Sequence, residues 1–258
     1  GHSGTAAAAK VVARYPGEEP LFSNAARPVI VDADYIVFSG LRFANGKSIG
    51  IGSNERGRTG VRVVDSTFEG QIAWDAIGTH GDNHVLAGNV CRVSGSSVGT
   101  QGHCYYISFG TGVRLSHNIG HSAPGYGIHV FDQRRQANDF QRVISDLVIE
   151  GNMLSGSTLR SGLILAMADE SGLGNVIDGV VVRNNVFTGN NHTGMVVSGH
   201  VRHVKVLNNT FVGNGRQGLH VASESTVRDI TVQNNLFDEG PNAVCQSNCS
   251  WYQVAQAY

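Results

Sequence analysis

Between residues 74 and 170 the chain gathers side chains suited to acid–base chemistry on a charged substrate. His103, Tyr106 and His129 could exchange protons, because imidazole titrates near neutral pH and a phenol can give or take a proton. Arg134, Arg135 and Arg160 could neutralise an anionic group while charge develops beside it. Asp75, His80, Tyr126 and Glu170 are candidates for the walls of the same site. A second chemistry is open to Asp132 with Asp169 or Glu170, since two carboxylates about 5 to 9.5 Å apart can hydrolyse a glycosidic bond.

Residues so far apart need a frame that brings them together, and internal repetition supplies it. Val180–Gly189 (VVVRNNVFTG), Val204–Gly213 (VKVLNNTFVG), Ile230–Gly240 (ITVQNNLFDEG) and Leu147–Gly156 (LVIEGNMLSG) share alternating apolar residues, then Asn, then Phe or Leu two residues on. Extended upstream, the anchors are Gly40, Ser66, Asn89, Asn118, Asn152, Asn185, Asn209 and Asn235, spaced 23 to 34 residues apart. A second short strand follows most anchors after about eleven residues, as in Gly127–Val130 and Gly218–Val221. Such a unit cannot bury its own apolar face, but a stack of them can. Alternating apolar residues and Asn-Asn pairs exclude a helical solenoid. The expected fold is all-β, a right-handed parallel β-helix of about eight coils in one domain. Residues 1–34 are expected as an edge or cap, 35–240 as coils and 241–258 as a tail. The anchor Asn side chains are expected to bond from coil to coil and to tolerate a left-handed turn.

Departures from the period mark where a site would lie. An insertion falls near Gly95–Gly102, and two long loops leave neighbouring coils at about Phe131–Arg142 and Ala166–Ile177. If Ile128 and Val130 point inward, His129 points outward, with Tyr106 one coil before and Ile164, Val196 and His220 on the coils after. His192 and His220 could extend the groove, whereas His117, His121, His200 and His203 read as structural or solvated. Trp74, Tyr105, Tyr106 and Tyr126 offer stacking surfaces for a sugar.

Composition narrows the partners. The 258 residues carry a net charge of −1, which implies no basic face for nucleic acid. No apolar run approaches the roughly 18 residues of a membrane span. The glycines follow turns rather than a strand–GxGxxG–helix context, so no nucleotide or redox cofactor is expected. Calcium would need many oxygens, and the acidic stretch Asp132, Asp139, Asp169 and Glu170 reads rather as a solvated loop; no cofactor or metal is expected.

With these repeats the chain resembles the pectate-lyase-like superfamily of bacterial right-handed parallel β-helix proteins, from Gly4 to Gly240. The resemblance implies a polysaccharide substrate and, first, β-elimination on a uronic-acid polymer. His129 or His103 would then be base, Tyr106 acid or a sharer in both roles, and Arg134, Arg135 or Arg160 the neutralising cation. Glycoside hydrolysis and a non-catalytic carbohydrate-binding module are the other two expectations. Family motifs are met only in part, in Gly102-His103, Trp74-Asp75-Ala76 and Tyr126-Gly127-Ile128-His129. Four cysteines allow three pairings, and the local choice is Cys91–Cys104 with Cys245–Cys249. Disulfides and resemblance together imply a secreted or periplasmic protein.

Overall fold

The computed structural model describes residues 2–23, 29–45, 48–72, 74–96, 101–132, 140–169, 172–238, 243–245, 249–252 and 255–256. Every named element in them is a strand, and the chain winds as a parallel solenoid. One coil runs through Ile128–Asp132, Val143–Glu150 and Met153–Ser155 before Leu163–Met167 stacks on its first strand. The first sheet holds His103–Thr111, Ile128–Asp132, Leu163–Met167, Met195–Gly199 and Leu219–Val221 in sequence. Val143–Glu150, Val176–Arg183 and Val201–Leu207 belong to the second sheet, and Ile119–His121, Met153–Ser155 and Val186–Thr188 to the third.

The third sheet has ten strands among the described residues, two more than the eight anchors of the sequence. Leu21–Phe22 and Ala255–Gln256 are the additional rungs, so the stretches expected as edge and tail both add to the same sheet.

Inward positions alternate with outward ones as a period of two requires, and the inward ones form a continuous apolar column. Phe22, Phe43 and Phe68 stack on successive coils with ring centroids 5.0 and 4.7 Å apart, and Phe187, Phe211 and Phe237 do so again at 4.9 and 4.8 Å. Between the two stacks the same inward position holds Cys91, Gly120 and Leu154. The freed volume accommodates a buried Cys91–Cys104 disulfide, and a β-carbon on Gly120 would stand 3.7 Å from the Cys104 sulfur. The Cys245 and Cys249 side chains lie outside the described residues.

The anchors form a hydrogen-bonded ladder. The Nδ2 groups of Asn89, Asn118, Asn152, Asn185 and Asn209 donate to Oδ1 of the next anchor at 2.9–3.1 Å. Each of these oxygens also accepts the previous anchor's backbone N–H, so the buried amides are paired on both edges. The left-handed backbone falls not on the anchor but one residue earlier, at Asp65, His117, Asn184, Asn208 and Asn234. Gly40 has that conformation too, which makes Leu41 the true anchor of its coil. The turn is made by the first residue of each Asn-Asn pair, freeing the second to turn inward.

Candidate active site

Tyr106, His129, Ile164, Val196 and His220 form one outward column on the first sheet, paired coil to coil. Each is partly exposed between buried neighbours. Parallel pairing therefore stacks Tyr106 against His129 as the parity of the sequence predicts, with ring centroids 5.1 Å apart. Two residues before the inward position of each coil, a second column runs Asp75, His103, Tyr126, Ser161, Thr193 and Gln217. Backbone N–H groups in this column turn to the side chain one coil below. Thr193 N–H donates to Ser161 Oγ at 3.3 Å, and Tyr126 N–H donates to His103 Nδ1 at 2.9 Å.

His103 is buried, and its Nε2 lies 3.0 Å from Nδ1 of His129. Tyr126 flanks both rings, at 5.4 Å from His103 and 4.8 Å from His129. The Tyr106 hydroxyl donates to the Phe131 carbonyl at 2.8 Å. These residues, with Gln101, Phe131, Arg160, Ile164 and Ala166, line a cleft of about 420 Å³. Desolvation pulls His103 down to about 3, aided by the Arg160 charge. Desolvation, then His103 and Arg160, hold His129 well below the ordinary imidazole value. Burial raises the Tyr126 phenol, against a smaller opposing effect of Arg160.

The cleft continues along the solenoid axis into a hollow of about 290 Å³ that shares Tyr126, Arg160 and Ile164 with it. Arg160, His192 and Arg216 occupy the same position on three successive coils, about 4.8 Å per coil, and line this continuation with His220. Neither lining includes an Asp or Glu among the described residues. His192 is lowered by desolvation and by the two arginines beside it.

Other expected site residues stand elsewhere. Asp132 is buried and turned inward, accepting Ser108 Oγ at 2.6 Å and facing Arg142 Nε at 3.7 Å. Its strand reads buried–partial–buried–partial–buried from Ile128, so the parity that turns His129 out turns Asp132 in. Asp169 accepts Gly174 N–H at 2.9 Å and borders a different hollow with His200 and Glu224. His80 bonds Asn54 Oδ1 at 2.9 Å and packs edge-on against Phe109, away from the cleft lining. Tyr105, expected as a stacking surface, is fully buried, with its hydroxyl 3.3 Å from the Asn89 carbonyl. Asp75 pairs in register with His103 one coil below, and burial raises its carboxyl well above the usual range. Arg134, Arg135, Asp139 and Glu170 lie outside the described residues. Among the described residues no group of three or more His, Cys, Asp or Glu is arranged to hold a metal ion, and no helix is long and apolar enough to cross a membrane.

A family model for the right-handed β-helix region matches residues 142–249. The A-module of the mannuronan C-5 epimerase AlgE6 from Azotobacter vinelandii superposes with a TM-score of 0.55 at 12% identity, over 88% of this chain and 65% of that one. A tailspike protein of E. coli bacteriophage HK620, solved with a pentasaccharide, superposes at 0.62 and 12% identity, over 91% of this chain and 45% of that one. The chain thus spans less than two thirds of either protein. No curated protein matches it by sequence. Parallel coils, the amide ladder and the superposed structures together give this chain the right-handed parallel β-helix fold.

Proposed function

We propose that the cleft acts on an anionic polysaccharide and breaks a uronic-acid linkage by β-elimination. The observation that carries this reading is the lining: His103, Tyr106, His129 and Arg160 meet in one cleft without a carboxylate among its described residues. Elimination needs a cation or strong donor at the sugar carboxylate, a base for the C5 proton and a proton for the departing oxygen. Arg160 can neutralise the carboxylate, and the His/Tyr group can move the protons. The C5–H bond breaks, C4=C5 forms, the C4–O4 bond breaks and O4 is protonated. C5 epimerisation starts with the same proton removal and differs in returning a proton to C5. The Arg160–His192–Arg216 column supports binding of a chain that carries repeated negative charge. Both structural neighbours handle saccharides by their own description, and the disulfide is compatible with a secreted or periplasmic protein.

Hydrolysis is less supported, because Asp132 is inward and paired and Asp169 borders another hollow. A non-catalytic saccharide-binding coil stack is the remaining reading, favoured by the open groove running along the axis.

The test is incubation with pectate, alginate, glucuronan, glycosaminoglycans and neutral polymers, each with calcium and with chelator. A rise in ultraviolet absorbance from unsaturated uronate is expected on one acidic polymer. New reducing ends without that absorbance would replace the reading with hydrolysis. Binding without either product would leave the module reading.

A further inference from the structure

We infer that His103 is a positioning residue that fixes His129 as a neutral hydrogen-bond donor, leaving its Nε2–H as the group the pair presents to a ligand. The inference follows from hydrogen-bond directions. A backbone N–H can only donate, so the 2.9 Å bond from Tyr126 places a lone pair, not a proton, on His103 Nδ1. A neutral imidazole has one N–H, which on His103 must then be at Nε2. That proton lies on the 3.0 Å contact to His129 Nδ1, which must accept it. His129 in turn carries its single proton on Nε2. The chain of bonds runs one way, from the Tyr126 peptide through both rings.

Adding a proton to the pair breaks a bond at either ring. Protonating His103 Nδ1 expels the Tyr126 N–H, and protonating His129 Nδ1 sets two N–H groups against each other. The charged and titratable groups around the pair are Arg160, Tyr106, Tyr126 and Asp75, which pairs in register with His103; Arg160 opposes protonation of both rings, burial drives the Asp75 carboxyl toward its neutral form and raises the Tyr126 phenol, and the Tyr106 hydroxyl donates to the Phe131 carbonyl. The column geometry explains why His103 holds this post: it catches a peptide N–H from the next coil as Ser161 does at the same position.

The consequence deepens the elimination reading and rests on it. His129 has no lone pair to offer C5–H, so with Arg160 it holds the uronate carboxylate as negative charge builds there. Tyr106 is then the group that handles protons. The neutral phenol turns its proton from the Phe131 carbonyl to O4 as the C4–O4 bond breaks, and its oxygen takes the C5 proton as C4=C5 forms, so Tyr106 ends with one proton as it began.

Long-range proton–nitrogen NMR on histidine-labelled protein reads both tautomers directly. Nε2–H is expected for His103 and His129 at neutral pH. His103→Ala should release His129 Nδ1, populate the Nδ1–H form and bring the His129 titration toward that of a free imidazole. His103→Gln should restore the Nε2–H form, because its amide can accept from Tyr126 and donate to His129. An Nδ1–H or cationic His129 in the unsubstituted protein would overturn the assignment, and so would a His129 tautomer indifferent to His103→Ala. If His103→Ala does not fold, the unsubstituted spectrum still decides. Silence on every polymer would defeat the elimination reading while leaving the tautomers as assigned.

Discussion

The Asp132 carboxylate and the Arg142 guanidinium, 3.7 Å apart, are among the most buried charged groups of the described chain. Arg142 also lies over the rings of Phe109 and Phe140, at 4.3 and 3.6 Å, and reaches the Asn54 carbonyl 88 residues earlier in the chain. The pair therefore ties the site coils to an earlier turn rather than facing a ligand. Asp132→Ala is expected to destabilise by about 3–5 kcal/mol, since it leaves a buried cation without its counter-charge. The product formed per folded molecule should keep its chemistry. Thermal melting and product analysis check this together; a stable variant that has lost activity would return Asp132 to the catalytic group.

Among the described residues Arg160 is an exposed cation lining both the cleft and its continuation. Arg160→Ala should lower kcat/KM by about 10²-fold or more, the scale of losing one donor to developing negative charge. Arg160→Lys should recover part of the loss by keeping the charge without the planar fork. Tyr106→Phe should abolish turnover while leaving polymer binding within a few-fold, read by equilibrium titration. Equal losses of binding and turnover in Tyr106→Phe would make that residue a contact rather than a proton carrier.

The amide ladder gives a prediction about stability alone. Asn185 accepts both the backbone N–H and the side-chain Nδ2 of Asn152 at 2.9 Å, and donates to Ile149 O and Asn209 Oδ1. Asn185→Ala leaves several buried polar groups unmatched, each worth about 1–3 kcal/mol. The melting temperature should fall clearly, with no change in turnover per folded molecule. An unchanged melt would mean the ladder does not bear on stability.

His103 and His129 both sit below their unfolded value, so between pH 6.5 and their folded values the unfolded chain binds more protons. The stability they confer is present above pH 6.5 and lost as pH falls, over a window reaching about 3 for His103. Each histidine should contribute a slope of up to about 1.4 kcal/mol per pH unit within its window. Denaturant unfolding from pH 7.5 to 4.5, compared with His103→Gln, reads that slope; an equal slope in both proteins would assign it to other groups.

Coil periodicity, the amide ladder and the outward column from Tyr106 to His220 were legible because each follows from a fixed repeat and a fixed parity. The same parity also turns Asp132 inward, and reading the expected carboxylate pair from loop length overlooked it. A second ladder, Asn190 donating to Asn214 at 2.8 Å, was missed although both residues follow their anchors by five. The one-residue displacement of the left-handed turn is not visible in Asn-Asn, since either amide suits that backbone. Tyr105 looked like a surface ring, but it stands in register with the inward Ile77 and Ile128, and the parity that turns Tyr106 outward turns it into the core. The reach of Arg142 to Asn54 spans coils with no shared motif, and only the fold brings those residues together.

Cys104 is the residue next to His103, and its partner Cys91 lies on the third-sheet strand of the same coil. That bond closes a short loop whose far end is the ring governing the cleft. A chain still carrying thiols would lose that covalent constraint and hold His103 by strand pairing and by its bonds to the Tyr126 peptide and His129 alone.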